Sequence, residues 1–265
     1  MSLVRSDSDD PSPAEPLAGL AASLRAALGN VAETPEPPTL LFSGGVDSVL
    51  LAWLMRTDPR TLLATVGLPG SFDLGRAHEA SRILAMPWRP QCLSLPGLQK
   101  SWNGWGRALW GEPEPRRSVL FSLGVAFESF PRRAIWLGQG ADELFGGYAH
   151  FDGLGVEECQ ERARRDLQRL REVDWPRTME LARDFGVSLR APYLDERFEA
   201  EVESLPSRQR FGGGGRKPLL RKLASYVGVP EPLASGPKKA MQYGSGISKA
   251  VAGFSRATRA GAPPH

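Results

Sequence analysis

Apolar residues gather along this chain in two rhythms. Four short runs, TLLF (39–42), TLLATVGL (61–68), QCLSL (91–95) and AIWLGQG (134–140), have the length and continuity of buried strands. Between them, apolar positions recur at helical spacing in SVLLAWLMR (48–56), LGRAHEASRILA (74–85) and SVLFSLGVAFESF (118–130). Strands alternating with helices predict a doubly wound, parallel α/β sheet with right-handed crossovers. In such a sheet ligands bind beyond the carboxyl ends of the strands. After Gly155 the strand-like runs stop. EECQERARRDLQRLREV (157–173), with Leu167 and Leu170 turned inward, reads as a helix, as do PRTMELARDFG (176–186), PYLDERFEAEVESL (192–205) and GRKPLLRKLASYVG (215–228). They predict a C-terminal helical layer that packs on the sheet and closes its site. Upstream, Leu17, Leu20, Leu24 and Leu28 share one helical face that ends at Gly29. The chain thus divides into a disordered leader, helix and linker over 1–37, an α/β core over 38–150, and a helical part over 151–265 that completes the same domain.

Composition narrows the chemistry. Cys92 and Cys159 are the only two cysteines and form no CxxC pair, which argues against a disulfide framework or a zinc ribbon. Three histidines are too few for a histidine-built metal site, so any metal is expected on oxygen ligands, which favours magnesium. No apolar run reaches membrane-spanning length and the N-terminus lacks a signal-peptide core, so a cytoplasmic protein is expected. Net charge is +3 but uneven: residues 206–265 carry eleven Lys/Arg against Glu231, a balance of +10 that leaves −7 for the rest. That basic segment reads mostly as solvated surface, with a phosphorylated ligand as its special use.

Two glycine-bearing loops fall at strand carboxyl ends, at 43–48 and 138–147. In SGGVDS, Gly44 and Gly45 allow backbone N–H groups to converge on an anion. The helix starting near Asp47 adds its positive end. Ser43 and Ser48 have hydroxyls to donate to phosphate oxygens, whereas Asp47 makes sense beside a magnesium ion. No Gly-Lys-Ser/Thr follows, so this is not a Walker loop, and GGGGRKP at 212–218 also fails that motif. The plain alternative is a Gly-Gly turn with a helix-capping aspartate.

The first loop resembles the SGG-x-DS pyrophosphate loop of the N-type ATP pyrophosphatases, which cleave ATP between the α and β phosphates and adenylate a substrate. GQGADELFGGYAHF (138–151) resembles the asparagine synthetase motif G-x-G-x-D-E-[LV]-F-G-G-Y. TVGLPGSFDL (65–74) is similar to that family's V-G-L-x-x-S-x-D, and LRAPYLDERF (189–198) to R-x-P-F-L-D. KPLLRKLA (217–224) and GPKKAMQYGSGI (236–247) resemble K-x-x-L-R and R-P-K-x-A-F-x-x-G-[VI], in the family's order. The resemblance implies a sheet of the adenine-nucleotide α-hydrolase type and an ATP- and Mg2+-dependent synthetase that adenylates a carboxylate and amidates it. By its pattern Asp47 and Asp142 are metal ligands. Ser43, Gly44, Gly45, Ser48, Gly138 and Gly140 lie on the nucleotide, and Leu41 and Val66 contact adenosine. Lys238 matches the lysine that neutralises the α-phosphate and leaving pyrophosphate, and a one-residue shift would give that role to Lys239.

Other positions stay open between two roles. Glu143 serves the site or forms an ion pair or helix cap; Ser71 and Asp73 approach the ribose or cap a helix. Arg190, Lys217 and Arg221 bind pyrophosphate or a substrate carboxylate, or form salt bridges. Two departures touch the acceptor side. Gln139 stands where the family has a glutamate tied to substrate positioning and the nucleophile's proton, and an amide cannot act as a base. Gly236 replaces the arginine of R-P-K. Met1 is followed by Ser2 rather than a nucleophilic cysteine, so the expected nitrogen source is ammonia, another amine or a separate glutaminase. The expected partners are a small carboxylate and that nitrogen donor, without membrane or nucleic acid. Competing readings are a non-catalytic nucleotide-binding homologue, and a β-lactam-forming, peptide-cyclising or RNA-modifying enzyme on the same scaffold.

Overall fold

A computed structural model describes residues 14–29, 31, 34–131, 133–213, 215–236 and 241–259. Five strands form one sheet: β1 (Thr39–Leu41), β2 (Leu62–Gly67), β3 (Trp88–Cys92), β4 (Ala134–Trp136) and β5 (Ser188–Arg190). They run parallel in the order β3-β2-β1-β4-β5, with Leu40 beside Leu63 on one edge and Trp136 on the other. The winding proceeds outward from β1 through β2 to β3, then restarts on the opposite side at β4. The carboxyl ends of β1 and β4 therefore border the switch point, where a crevice opens in sheets of this kind. The two glycine loops emerge at those two ends.

Helices cover both faces. After α1 (Ala14–Leu28), α2 (Val46–Met55) follows β1, and α3 (Phe72–Leu84) joins β2 to β3. Then α4 (Leu95–Gly104) and α5 (Arg116–Ser129) lead to β4, and α6 (Ala141–Phe145) follows it. The chain continues through α7 (Val156–Arg169), a π-helical turn at Leu170–Asp174 and α8 (Trp175–Asp184) to β5. The remainder is α9 (Glu196–Ser204), α10 (Ser207–Phe211), α11 (Pro218–Tyr226), α12 (Glu231–Ala234), α13 (Met241–Gly244) and α14 (Ile247–Arg259). One apolar cluster unites α1, α2, α3, α9, α11 and α12 on one face; the other unites α4, α5, α8 and α14. The helices of the second half thus pack on the sheet from both sides. No helix among the described residues is long and apolar enough to cross a membrane.

The alternation of buried strand and helix is the expected doubly wound sheet, with two corrections. Strand-like structure does not end at Gly155, because β5 pairs with β4 and places Leu189 opposite Ile135. Three residues with one buried side chain carry too little periodicity to show in the sequence. The edge strand read at 91–95 lies instead at Trp88–Cys92, and Leu95 already starts α4, capped by Ser94, whose side chain accepts from Gly97 N–H. Trp88 holds that edge in register: its Nε1 donates to Thr65 Oγ1 at 2.9 Å, which donates on to the Phe42 carbonyl at 2.5 Å. That chain of bonds fixes the backbone entering the first glycine loop.

Candidate active site

The first loop is closed by its own hydroxyls. Ser48 Oγ donates to the Gly45 carbonyl at 3.1 Å and accepts from Ser43 N–H at 3.3 Å, while Ser43 Oγ accepts from Gly45 N–H at 3.4 Å. Gly44 has φ +73°, and a Cβ there would lie 2.8 Å from the Arg76 carbonyl oxygen, so only glycine fits. Asp47, in the first turn of α2, is buried and held from two sides. Its carbonyl accepts from the fully buried Tyr193 hydroxyl at 2.9 Å, and Gly138 packs against its Cβ. Tyr193 was not singled out in the sequence, where it reads as an apolar residue beginning a helix.

The second loop turns on Gly140 (φ +97°) and Gly146 (φ +69°), which bracket α6 and its Asp142. A Cβ on Gly147 would lie 1.9 Å from Asp142 Oδ1 and 2.1 Å from Lys217 Cε, so this glycine leaves room for the pair beside it. Lys217 is the residue that joins the loops. It caps α11 in a left-handed backbone conformation, φ +58°, with its side chain only 2% exposed. Its Nζ lies 2.5 Å from Asp47 Oδ1 and 2.8 Å from Asp142 Oδ1. Of the roles left open for Lys217, the geometry gives an ion pair, made to the two acids read as metal ligands.

Two carboxylates from neighbouring strand ends thus converge on one cation. This donor set fits a magnesium ion, which uses one or two carboxylates and takes its remaining ligands from phosphates and water. Among the described residues no cluster of three or more His, Cys, Asp or Glu could hold a metal without such help.

Glu143, next to Asp142, is buried and accepts from the Tyr148 hydroxyl at 2.5 Å. Burial and the neighbouring Asp142 charge raise its carboxyl to about 7, against the pull of the tyrosine bond. The ordinary value is 4.5, so the folded state binds the proton more tightly than the unfolded chain between pH 4.5 and about 7. Stability from this group is present below pH 4.5 and falls as pH rises to about 7. Glu143→Gln is therefore expected to remove a loss of about 3 kcal/mol between pH 5 and pH 8. Urea unfolding at the two pH values measures it.

A cavity of about 970 Å³ opens beside this centre, with Gln139, Asp142, Glu143, Lys217 and Arg221 in its wall. Arg116, Arg169 and Asp174 line it as well. Arg116 Nε lies 2.5 Å from Asp174 Oδ1, an ion pair that sequence reasoning missed because its members are 58 residues apart. Arg190 ends the edge strand β5, exposed and outside this wall. Arg221 donates to the Ala234 and Gly236 carbonyls at 2.7 and 3.3 Å and so anchors the segment leading to Lys238. Arg76 does the same from α3, donating to the Pro232 carbonyl at 3.1 Å, with Nη2 1.9 Å from where a Gly236 Cβ would sit. The missing side chain at 236 thus leaves space that the Arg76 guanidinium fills. Lys238 and Lys239 themselves lie outside the described residues.

Leu41 and Val66 sit near the carboxyl ends of adjacent strands and contact the α5-side core. Ser71 occupies the N-cap position of α3 without a side-chain capping bond. Asp73 is buried in the first turn of α3, close against Gly244.

Residues 152–260 match the family described as Asparagine synthase. A putative glutamine-hydrolysing asparagine synthetase of Methanocaldococcus jannaschii is 28% identical over 251 residues, covering 80% of this chain and 46% of that protein. Asparagine synthetase B of Escherichia coli is 25% identical over 233 residues, covering 80% and 42%. The chain therefore spans less than half the length of these relatives. A solved NMN synthetase from Francisella tularensis superposes with a TM-score of 0.42 at 13% identity, over 97% of this chain and 89% of that one.

Proposed function

We propose, from the match of residues 152–260 to the family described as Asparagine synthase, an ATP-dependent, AMP-forming amide synthetase. The observation that carries the reading is the meeting of Asp47 and Asp142 on one cation at the switch point. In this reading a substrate carboxylate, aspartate being the first candidate, attacks the α-phosphorus of ATP and the bond to pyrophosphate breaks. A nitrogen nucleophile then attacks the acyl-adenylate and releases AMP. Asp47 and Asp142 would hold Mg2+, which when bound draws charge from the phosphate oxygens. Arg221 lines the same cavity and neutralises the triphosphate, and Lys238, or Lys239, balances the charge that builds on pyrophosphate. The two serines keep the loop closed through the Ser43 and Gly45 N–H groups, and the loop's other backbone N–H groups would bind phosphate. Arg116, Asp174 and Arg169 supply both signs of charge for an acceptor that carries both. The nitrogen comes from ammonia or from glutamine through a separate glutaminase, in the cytoplasm, without membrane or nucleic acid.

The test is pyrophosphate release by purified protein with ATP and MgCl2, screened over the amino acids with ammonium and glutamine compared. Release that depends on one carboxylate is expected. ATP binding without release for any of them would favour a second reading, a non-catalytic nucleotide-binding homologue. That reading draws its support from Lys217, whose ammonium already satisfies both acids.

A further inference from the structure

The proposed reaction needs a base for its second half, and Gln139 cannot supply one, since an amide holds no exchangeable lone pair of useful basicity near neutral pH. The carboxylates lining the cavity are committed elsewhere. Asp142 faces Lys217 Nζ at 2.8 Å, Glu143 accepts from Tyr148, and Asp174 lies between Arg116 at 2.5 Å and Arg169 at 3.6 Å. Among the described residues of the cavity wall, His150, three residues past Gly147, is a proton-carrying group held in place by a carboxylate. Its Nε2 lies 2.7 Å from Asp166 Oδ2, on the cavity face of α7, and Arg162 from one turn earlier holds the same carboxylate at 3.2 Å. The ring lies against Tyr148, at 5.2 Å between centroids, and Phe151, at 4.8 Å. An ionised carboxylate only accepts hydrogen bonds, so the bond to Asp166 places the proton on Nε2 and leaves the Nδ1 lone pair as the acceptor. A histidine oriented by a carboxylate is the usual arrangement for a general base.

We propose that His150, oriented by Asp166, is the base that takes the proton from the nitrogen nucleophile as it attacks the acyl-adenylate. The inference rests on the amide-synthetase reading above. In the step, the nitrogen lone pair forms the C–N bond, the C–O bond to AMP breaks with its electron pair leaving on the phosphate, and the proton passes from nitrogen to His150 Nδ1. The charged groups facing the ring are Asp166 and Arg162 from α7; Arg169, Arg216 and Tyr148 share its cavity wall.

The two halves of the reaction separate the proposal from its premise. Adenylation alone is read by ATP–pyrophosphate exchange, with L-aspartate or whichever amino acid the screen above identifies. Completion is read as amide from ammonium chloride, or hydroxamate from hydroxylamine, a nucleophile already uncharged near neutrality. His150→Gln is expected to keep exchange within about threefold, to lose on the order of 100-fold in amide formation, and to recover most of its rate with hydroxylamine. Asp166→Asn should show the same split, less deeply. Unchanged amide formation, or loss of exchange in both variants, overturns the proposal. Absence of exchange in the wild type with every amino acid removes the amide-synthetase reading itself and the proposal with it.

Discussion

Replacing Lys217 with methionine is expected to lower the melting midpoint by on the order of 10 °C in metal-free buffer. Methionine keeps most of the apolar stem, so the change isolates the ammonium. Asp47 and Asp142 both reach that ammonium within 2.8 Å, and Lys217 is 2% exposed, so water cannot readily replace it. Removing one partner from a buried ion pair costs about 3–5 kcal/mol, because the charge left behind keeps its desolvation cost without compensation. In a chain of this size each kcal/mol moves the midpoint by roughly 2–4 °C. Millimolar MgCl2 should restore part of the loss in the variant and do less for the wild type, since a divalent ion can take up the same two oxygens. A midpoint within about 2 °C of wild type would show that the acids do not depend on Lys217, and the bridge between the loops would lose its meaning.

Asp142→Asn is expected to have the opposite profile. Pyrophosphate exchange should fall by roughly 100- to 1,000-fold, the usual cost of removing one preorganised electrostatic group from a site where charge builds. Stability should change little. The Asp142 side chain is 21% exposed, and Lys217 keeps its 2.5 Å contact with Asp47. An asparagine oxygen occupies the same place without the charge that holds a hard divalent ion. Exchange within tenfold of wild type would mean that Asp142 holds no catalytic metal, whatever its position. The pair of variants therefore divides the centre into a residue that keeps the fold and a residue that serves the chemistry.

Much of this arrangement was legible because it is local. TLLF, TLLATVGL and AIWLGQG are continuous apolar runs, and the strands they predict form the centre of the sheet. Both glycine loops were readable for the same reason, as glycines and an acid immediately beyond a strand. The convergence of the two acids followed from topology, since strands flanking a switch point bring their following loops together. What escaped lies at edges or across distance. The strand at Trp88–Cys92 was read three residues late, at 91–95, because Arg89 and Pro90 break its apolar run, yet Pro90 is tolerated because the strand is at an edge. Ser188–Arg190 is too short to have a period. Lys217 sits in GGGGRKP, where the sequence shows a glycine run and a helix start; nothing local says that its amine will meet an acid 170 residues earlier. The Arg76 guanidinium over Gly236 is likewise invisible to pattern reading, because the two residues meet only once α3 and the 232–236 turn have packed.

The interleaving of α1 with the end of the chain bears on how the protein is made. Leu20, Leu24 and Leu28 are covered in the folded molecule, and α1 rests on α9 and α11, nearly two hundred residues downstream. While the ribosome is still translating the strands, that leucine stripe has no surface to lie against and stays exposed to chance partners. The long separation between contacting segments also slows their meeting. Nascent chains halted before residue 196 should consequently bind a hydrophobic-surface-seeking chaperone through this first helix, and release it once α9 has cleared the exit tunnel.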